Sequence, residues 1–177
     1  MSITSSPTAY AIPRDGTLAV TGHRPPKLLG YGLGPVRKLA RFAAELLQEI
    51  EPERVITGMA QGWDQAVAVA CVELEIPYIA AVPWPGQAEK WPADGQRLCR
   101  RLLDRAAHVE VVCWPTVYSP LWMQARNEWM VARAEALLAL WDGSPGGTAN
   151  CVKFAQMVMV PVIPAWDRYQ EFLESDA

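Results

Sequence analysis

The residues best suited to chemistry lie in short polar turns, each placed just after an apolar run. The clearest is Asp142-Gly143-Ser144-Pro145-Gly146-Gly147-Thr148, which follows the run Ala136 to Trp141. Thr148 then opens an amphipathic segment with Val152, Ala155 and Met159 on one face. A buried strand, a glycine turn and a helix N-terminus make an anion site, because the first helical amides have no intrahelical partner and the helix dipole adds positive potential. Glycine also lets a ligand approach the backbone. An ordinary strand-to-helix turn has the same pattern, and this stretch alone leaves both readings open.

Two more turns and one helix face supply side chains. In Gly22-His23-Arg24 the loop is fixed by Pro25 and Pro26, which predict an extended path. A guanidinium at Arg24 suits bidentate phosphate binding, and serves equally as a salt bridge to a neighbouring loop. His23 is an acid–base group, a phosphate donor or a plain hydrogen-bond partner. The turn Gly58 to Gly62 places Asp64 in the first turn of a helix. There a carboxylate favours the dipole, or reaches ribose hydroxyls or a substrate amine. Arg126 and Asn127 share a helix with Met123, Met130 and Ala134 at helical spacing. On a buried face Asn127 must be hydrogen-bonded and Arg126 paired, which suggests a ligand or a loop clamp. Trp84, Trp91, Trp114, Tyr118 and Trp122 fall in or near loops, where they stack on a base, pack the loops or form an interface.

The elements that carry these turns alternate. Strands are expected at Thr17–Thr21, Arg54–Thr57, Tyr78–Val82, His108–Trp114, the central run Ala136–Trp141, and Val162–Ile163. Helical periodicity covers Val36 to Ile50, then Val67 to Leu74, about Asp94 to Ala106 and about Leu121 to Ala134, with a short helix at the end. This predicts an α/β three-layer sandwich with a mostly parallel sheet, ligands sitting beyond the carboxyl ends of its strands. Residues 1–16 read as a flexible tail without a signal-peptide pattern, and residues 17–177 as a single domain. Gly30-x-Gly32-x-Gly34 does not come straight off a strand and is discounted as a dinucleotide fingerprint.

Composition narrows the partners. The net charge of −3 argues against a nucleic-acid-coating surface. No apolar run reaches the roughly 20 residues that span a bilayer, and a cytoplasmic location is expected. Four widely spaced cysteines and two histidines give no zinc pattern, so reduced, mostly buried thiols and no metal or cofactor are expected. P-loop and nucleophile-elbow motifs are absent.

Five motifs occur in one order: Thr21-Gly-His-Arg-Pro25, Gly58-Met-Ala-x-Gly62-x-Asp64, Gln87-x-x-x-Trp91, Arg126-Asn-x-x-Met130 and Asp142-Gly-x-x-Gly-Gly-Thr148. Over about Leu18 to Trp166 the chain resembles the YpsA-like branch of the SLOG superfamily, which groups DNA-processing-protein-A-type and Lonely-Guy-type Rossmann-like domains. The resemblance implies a nucleotide or ADP-ribose-like ligand at the sheet top, held by Gly22, His23, Arg24, Gly58, Gly62, Asp64, Arg126, Asn127, Asp142, Gly143, Gly146, Gly147 and Thr148. It also makes a homodimer plausible. Lonely-Guy-type relatives are phosphoribohydrolases with a glutamate three residues after the motif threonine. Here that position is Cys151. N-glycosidic cleavage needs a carboxylate near the developing oxocarbenium; Asp64 and Asp142 are both open as substitutes, and Asp64 is taken as the candidate catalytic residue. A sensor or binding domain is therefore the first expectation, a nucleoside-monophosphate N-glycosidase the second, and an interaction module with a vestigial pocket the third.

Overall fold

The structure is a computed structural model that describes residues 16–114 and 118–176. The strands are β1 (Thr17–Gly22), β2 (Arg54–Thr57), β3 (Tyr78–Val82), β4 (His108–Val111), β5 (Ala136–Leu140) and β6 (Val162–Pro164). The helices are α1 (Leu33–Ile50), α2 (Trp63–Glu73), α3 (Ala93–Arg105), α4 (Pro120–Val131), α5 (Gly147–Met157) and α6 (Trp166–Ser175), plus one 3-10 turn at Pro25–Lys27. All strand pairs are parallel, in the order β4-β3-β2-β1-β5-β6. The sheet is thus the α/β Rossmann-like sandwich the alternation predicts.

Period-two alternation sorts the strands' side chains to the two faces. Leu18 and Val20 of β1 pack with α1, α2 and α6, while Ala19 packs with Met130 and Val131 of α4 and Cys151, Val152 and Ala155 of α5. The chain winds from β1 outward to β4, then crosses back to pair β5 with the other side of β1. Consecutive crossovers leave β1 in opposite directions there, and the loops after β1 and β5 part to leave a crevice.

Several local expectations change. β5 is buried throughout but not central: β1 and β2 hold the middle and β5 lies next to the edge strand β6. β4 ends at Val111, and Trp114 is 74% exposed. The prolines do not force an extended path. They occupy the first positions of the 3-10 turn, where a missing N–H is harmless, and only Arg24 before them is extended. The tail assignment lies outside the described residues except at Gly16, whose carbonyl already accepts from Glu53 and Arg54 amides at 3.0 and 3.3 Å.

Met159 is not on the buried face of α5. The helix stops at Met157, and Met159 is 88% exposed with φ +60°. Its N–H donates to Gln156 O at 3.2 Å and that of Val160 to Ala155 O at 2.9 Å, the pairing of a Schellman cap with methionine in the left-handed position. Glycine is free of the steric penalty there. Met159→Gly should raise stability by about 0.5–1 kcal/mol, read as a melting temperature roughly 1–4 °C higher. A lower melting temperature would contradict the strain argument.

Candidate functional site

The turns after β1 and β5 and the first residues of α2 and α4 border one cleft of about 530 Å³ at the carboxyl edge of the sheet. Of the residues expected from sequence, Gly22, His23, Arg24, Asp64, Arg126, Asn127, Gly146, Gly147 and Thr148 line it. Gly58, Gly62, Asp142 and Gly143 do not. They stand behind it or at its rim.

Gly58 ends β2 on the inner side. A Cβ there would fall onto the Arg126 guanidinium, whose Nη1 donates to Gly58 O. Glycine therefore makes room for a buried arginine. Arg126, 4% exposed, also donates from Nε to Asn127 Oδ1 at 3.1 Å, and Asn127 Nδ2 donates to Gly147 O at 3.3 Å. This chain of bonds ties the turn after β2 to the turn after β5 through α4. The clamp expected of a buried Arg-Asn pair is present.

Asp64, 5% exposed, accepts at Oδ2 from Ala60 N–H at 3.3 Å, and its own carbonyl accepts from Thr57 Oγ1 at 2.9 Å. Among the described residues it has no direct ion pair with Arg126. Burial pushes the Asp64 carboxyl up, against the opposing pull of Arg126, Arg24 and the Ala60 amide. Burial likewise pulls Arg126 down, against Asp64. Gly62 caps α2 with φ +99°, and a Cβ there would meet His23 O at 2.7 Å.

A second set of bonds fixes the rim. His23, 7% exposed, places Nε2 2.7 Å from Asp142 Oδ1. The Asp142 backbone N lies 3.1 Å from the same Nε2, so one imidazole nitrogen engages both the backbone and the carboxylate of Asp142. Asp142 Oδ1 also accepts from Ser144 N–H at 2.9 Å and Ser144 Oγ at 2.5 Å, Lys27 Nζ lies 3.6 Å from Oδ2, and Lys27 donates to Ser144 Oγ. The Ser144 bonds, and then His23, hold the Asp142 carboxyl well below the usual carboxylate range. Asp142 therefore shapes the turn, and Trp141 reinforces it by donating to Ser144 O at 2.7 Å.

The N-terminus of α5 is left open by this frame. Gly146 caps it with φ +147° and no side-chain bond, and a Cβ at Gly146 or Gly147 would meet nothing within 4 Å. The first amides of α5 therefore face the cleft without a capping side chain. Lys27, Ser144, Tyr118, Gln124 and Asn150 also line the cleft. Tyr118 is one of the loop aromatics and Ser144 part of the expected turn; Lys27, Gln124 and Asn150 were missed because no glycine or strand end marks them.

The two aspartates should answer pH in opposite ways. Asp142 is depressed, so its contribution is present above the unfolded carboxylate pKa of about 3.9 and is lost as pH falls below it. Asp64 is raised, so stability declines as pH rises from that value through its folded-state pKa. Denaturant titrations from pH 3 to 8 should show Asp142→Asn flattening the acid limb and Asp64→Asn flattening the decline above it. Profiles parallel to the wild type would contradict both assignments.

The cysteines fit the expectation of reduced thiols. Cys71, Cys99 and Cys151 are buried and Cys113 is partly so, all free. Among the described residues no helix is long and apolar enough to cross a membrane, and no cluster of His, Cys, Asp and Glu could hold a metal.

The YpsA family model, described as YspA SLOG family, matches residues 18–159. An uncharacterized SPbeta prophage-derived protein, YoqJ of Bacillus subtilis (strain 168), is 36% identical over 135 residues, covering 67% of this chain and 78% of that protein. The structure is similar to DNA processing protein A from Streptococcus pneumoniae, with TM-score 0.62, 18% identity and 84% of this chain covered. This chain spans only about half of that protein, 49%. It is also similar to the molybdenum cofactor carrier protein of Chlamydomonas reinhardtii, with TM-score 0.54, 13% identity, and 85% and 76% of the two chains covered. These two structures share the fold. The expectation against nucleic acid finds no support in a neighbour named for DNA processing, and rests on net charge alone. The chain belongs to the YpsA SLOG family.

Proposed function

We propose that this YpsA SLOG family chain binds the phosphate of a nucleotide or nucleotide-derived, ADP-ribose-like ligand on the Gly146–Thr148 turn, as a sensor or binding domain. The observation that carries the reading is the uncapped N-terminus of α5 opening into the same cleft as Arg24 and Arg126. Helix amides and guanidinium groups both favour a phosphate over a neutral ligand. Two donors of Arg126 are committed to Gly58 and Asn127, and its remaining N–H groups are available to a ligand. The cleft volume lies in the ordinary range for small-molecule sites. Fold neighbours that carry a molybdenum cofactor or process DNA are compatible with a phosphate-bearing ligand.

A thermal-shift and calorimetric screen against nucleoside phosphates and ADP-ribose tests the reading. Binding should be saturable, and Arg126→Ala should weaken it by roughly 1.5–3 kcal/mol. The same substitution should matter much less for the dephosphorylated ligand. Equal losses for both ligands would mean that Arg126 shapes the pocket and that Arg24 reads the phosphate. No binding at millimolar ligand with the fold intact would sink the proposal.

One observation favours turnover as the second reading. Asp64 is the only carboxylate among the described residues lining the cleft. The Cys151 thiol cannot stand in for the Lonely-Guy glutamate, since it is fully buried and pushed up to about 11. Release of free base from AMP, lost in Asp64→Asn, would establish a phosphoribohydrolase. Activity unchanged by that substitution would remove Asp64 from the mechanism.

A further inference from the structure

A second cavity, of about 550 Å³, adjoins the first, and Arg24, Tyr118 and Met123 line both. Beyond that shared border its walls are Trp84, Trp91, Gln87, Glu89 and Lys90, from the loop after β3. Trp84 is 9% exposed and meets the Tyr118 ring edge-on, at 5.5 Å between centroids and 67° between planes. Trp91 is half-buried against the core. The cavity is thus bordered by three aromatic side chains, two of them held by packing.

Gln87 adds a polar demand. It is 7% exposed, and its Nε2 donates to Gly58 O at 3.0 Å. A carbonyl can only accept, so this bond fixes the orientation of the carboxamide and identifies the other end as Oε1. Oε1 is buried and has no hydrogen-bond partner among the described residues. A buried acceptor without a donor is costly to the protein alone. Its residue lines the cavity beside the three aromatic rings, and a small turn of the terminal torsion, which is soft, would offer Oε1 to a donor there.

We infer that this second cavity is a ring subsite: it takes a fused, planar nitrogen heterocycle carrying an N–H donor, purine-like in shape, whose phosphate lies on the Gly146–Thr148 turn. The ring stacks among Trp84, Trp91 and Tyr118, its donor meets Gln87 Oε1, and the sugar or linker passes Arg24 and Met123. The inference rests on the proposed phosphate site for the ligand's other end, and makes the ligand a two-part molecule.

Calorimetry on the full chain separates the two ideas. Trp91 lines the second cavity and not the first, so Trp91→Leu should weaken AMP about tenfold, the usual scale of one base–aromatic stack. Ribose 5-phosphate, which has no ring, should bind this variant as it binds the wild type. On the wild type, purine riboside 5′-monophosphate, which lacks the 6-amino donor, should bind several-fold more weakly than AMP. If Trp91→Leu changed AMP and ribose 5-phosphate equally, or changed neither, the subsite would be overturned while the phosphate reading stood. If AMP and adenosine bound equally, both weakened by Trp91→Leu, and ribose 5-phosphate bound nothing, the ring subsite would stand and the phosphate reading would fall. Equal affinity for AMP and purine riboside 5′-monophosphate would overturn the Gln87 contact. Absence of binding by AMP and adenosine alike would overturn the subsite outright.

Discussion

Gly147→Val should abolish detectable AMP binding while leaving the melting temperature within a few degrees of the wild type. Its Cβ has open space around it, with nothing within 4 Å, and Gly147 is not among the positive-φ residues. The fold therefore tolerates a side chain. A phosphate on the first amides of α5 does not, because valine would fill the space the phosphate needs. Losing two charge-assisted hydrogen bonds at about 1.5–3 kcal/mol each corresponds to an affinity loss of about a hundredfold or more. Gly146→Val is the poorer probe, since its φ of +147° adds backbone strain to any effect on binding. Undiminished AMP affinity in a folded Gly147→Val protein would remove the turn from the site.

The largest effect on stability is expected from Gly58→Ala. The added methyl would occupy the place of the Arg126 guanidinium and break its bond to Gly58 O. Moving Arg126 also takes the largest opposing positive charge away from the buried Asp64, and releases Asn127 from its bond to Arg126. Leaving a buried charged donor without its acceptor typically costs about 3 kcal/mol or more, or a melting temperature lower by roughly 6–12 °C in a chain of this size. Gly34→Ala is the control: it lies in α1, a Cβ there meets nothing within 4 Å, and helix propensity favours alanine. That variant should be neutral or slightly stabilising. Equal melting temperatures for the two variants would contradict the buried seat of Arg126.

The fold was legible because its periodicities are clean. β2 and β3 span the expected Arg54–Thr57 and Tyr78–Val82, and glycines mark the turns after β1, β2 and β5 at Gly22, Gly58 and Gly143. Boundaries failed where the local chemistry was unusual. Met159 ends α5 in a position that normally calls for glycine, and the prolines after Arg24 start a helical turn instead of preventing one. Within the site, glycine turns and buried polar residues announced themselves, as Gly58, Asp64 and Arg126 show. Their connections could not be read from spacing. Nothing in the sequence tells that Arg126 reaches Gly58, 68 positions away, or that His23 meets Asp142 across 119. Asp142 and Gly143, expected in the site, turned out to build its rim. Lys27 was missed because an isolated polar residue in a loop carries no periodic or motif signal, and Ser144, though inside the Asp142–Thr148 turn, was not singled out as a site residue.

The central claim is that a phosphate sits on the first amides of α5, and an amide-resolved NMR titration tests it most directly. With uniformly nitrogen-15-labelled protein and AMP, the backbone N–H signals of Gly147 and Thr148 should shift progressively to saturation, as expected for new hydrogen bonds to an anion. Adenosine at the same occupancy should leave those two signals nearly in place. Amides of Gly147 and Thr148 that stay unmoved at saturating AMP, or that move equally with adenosine, would contradict the account.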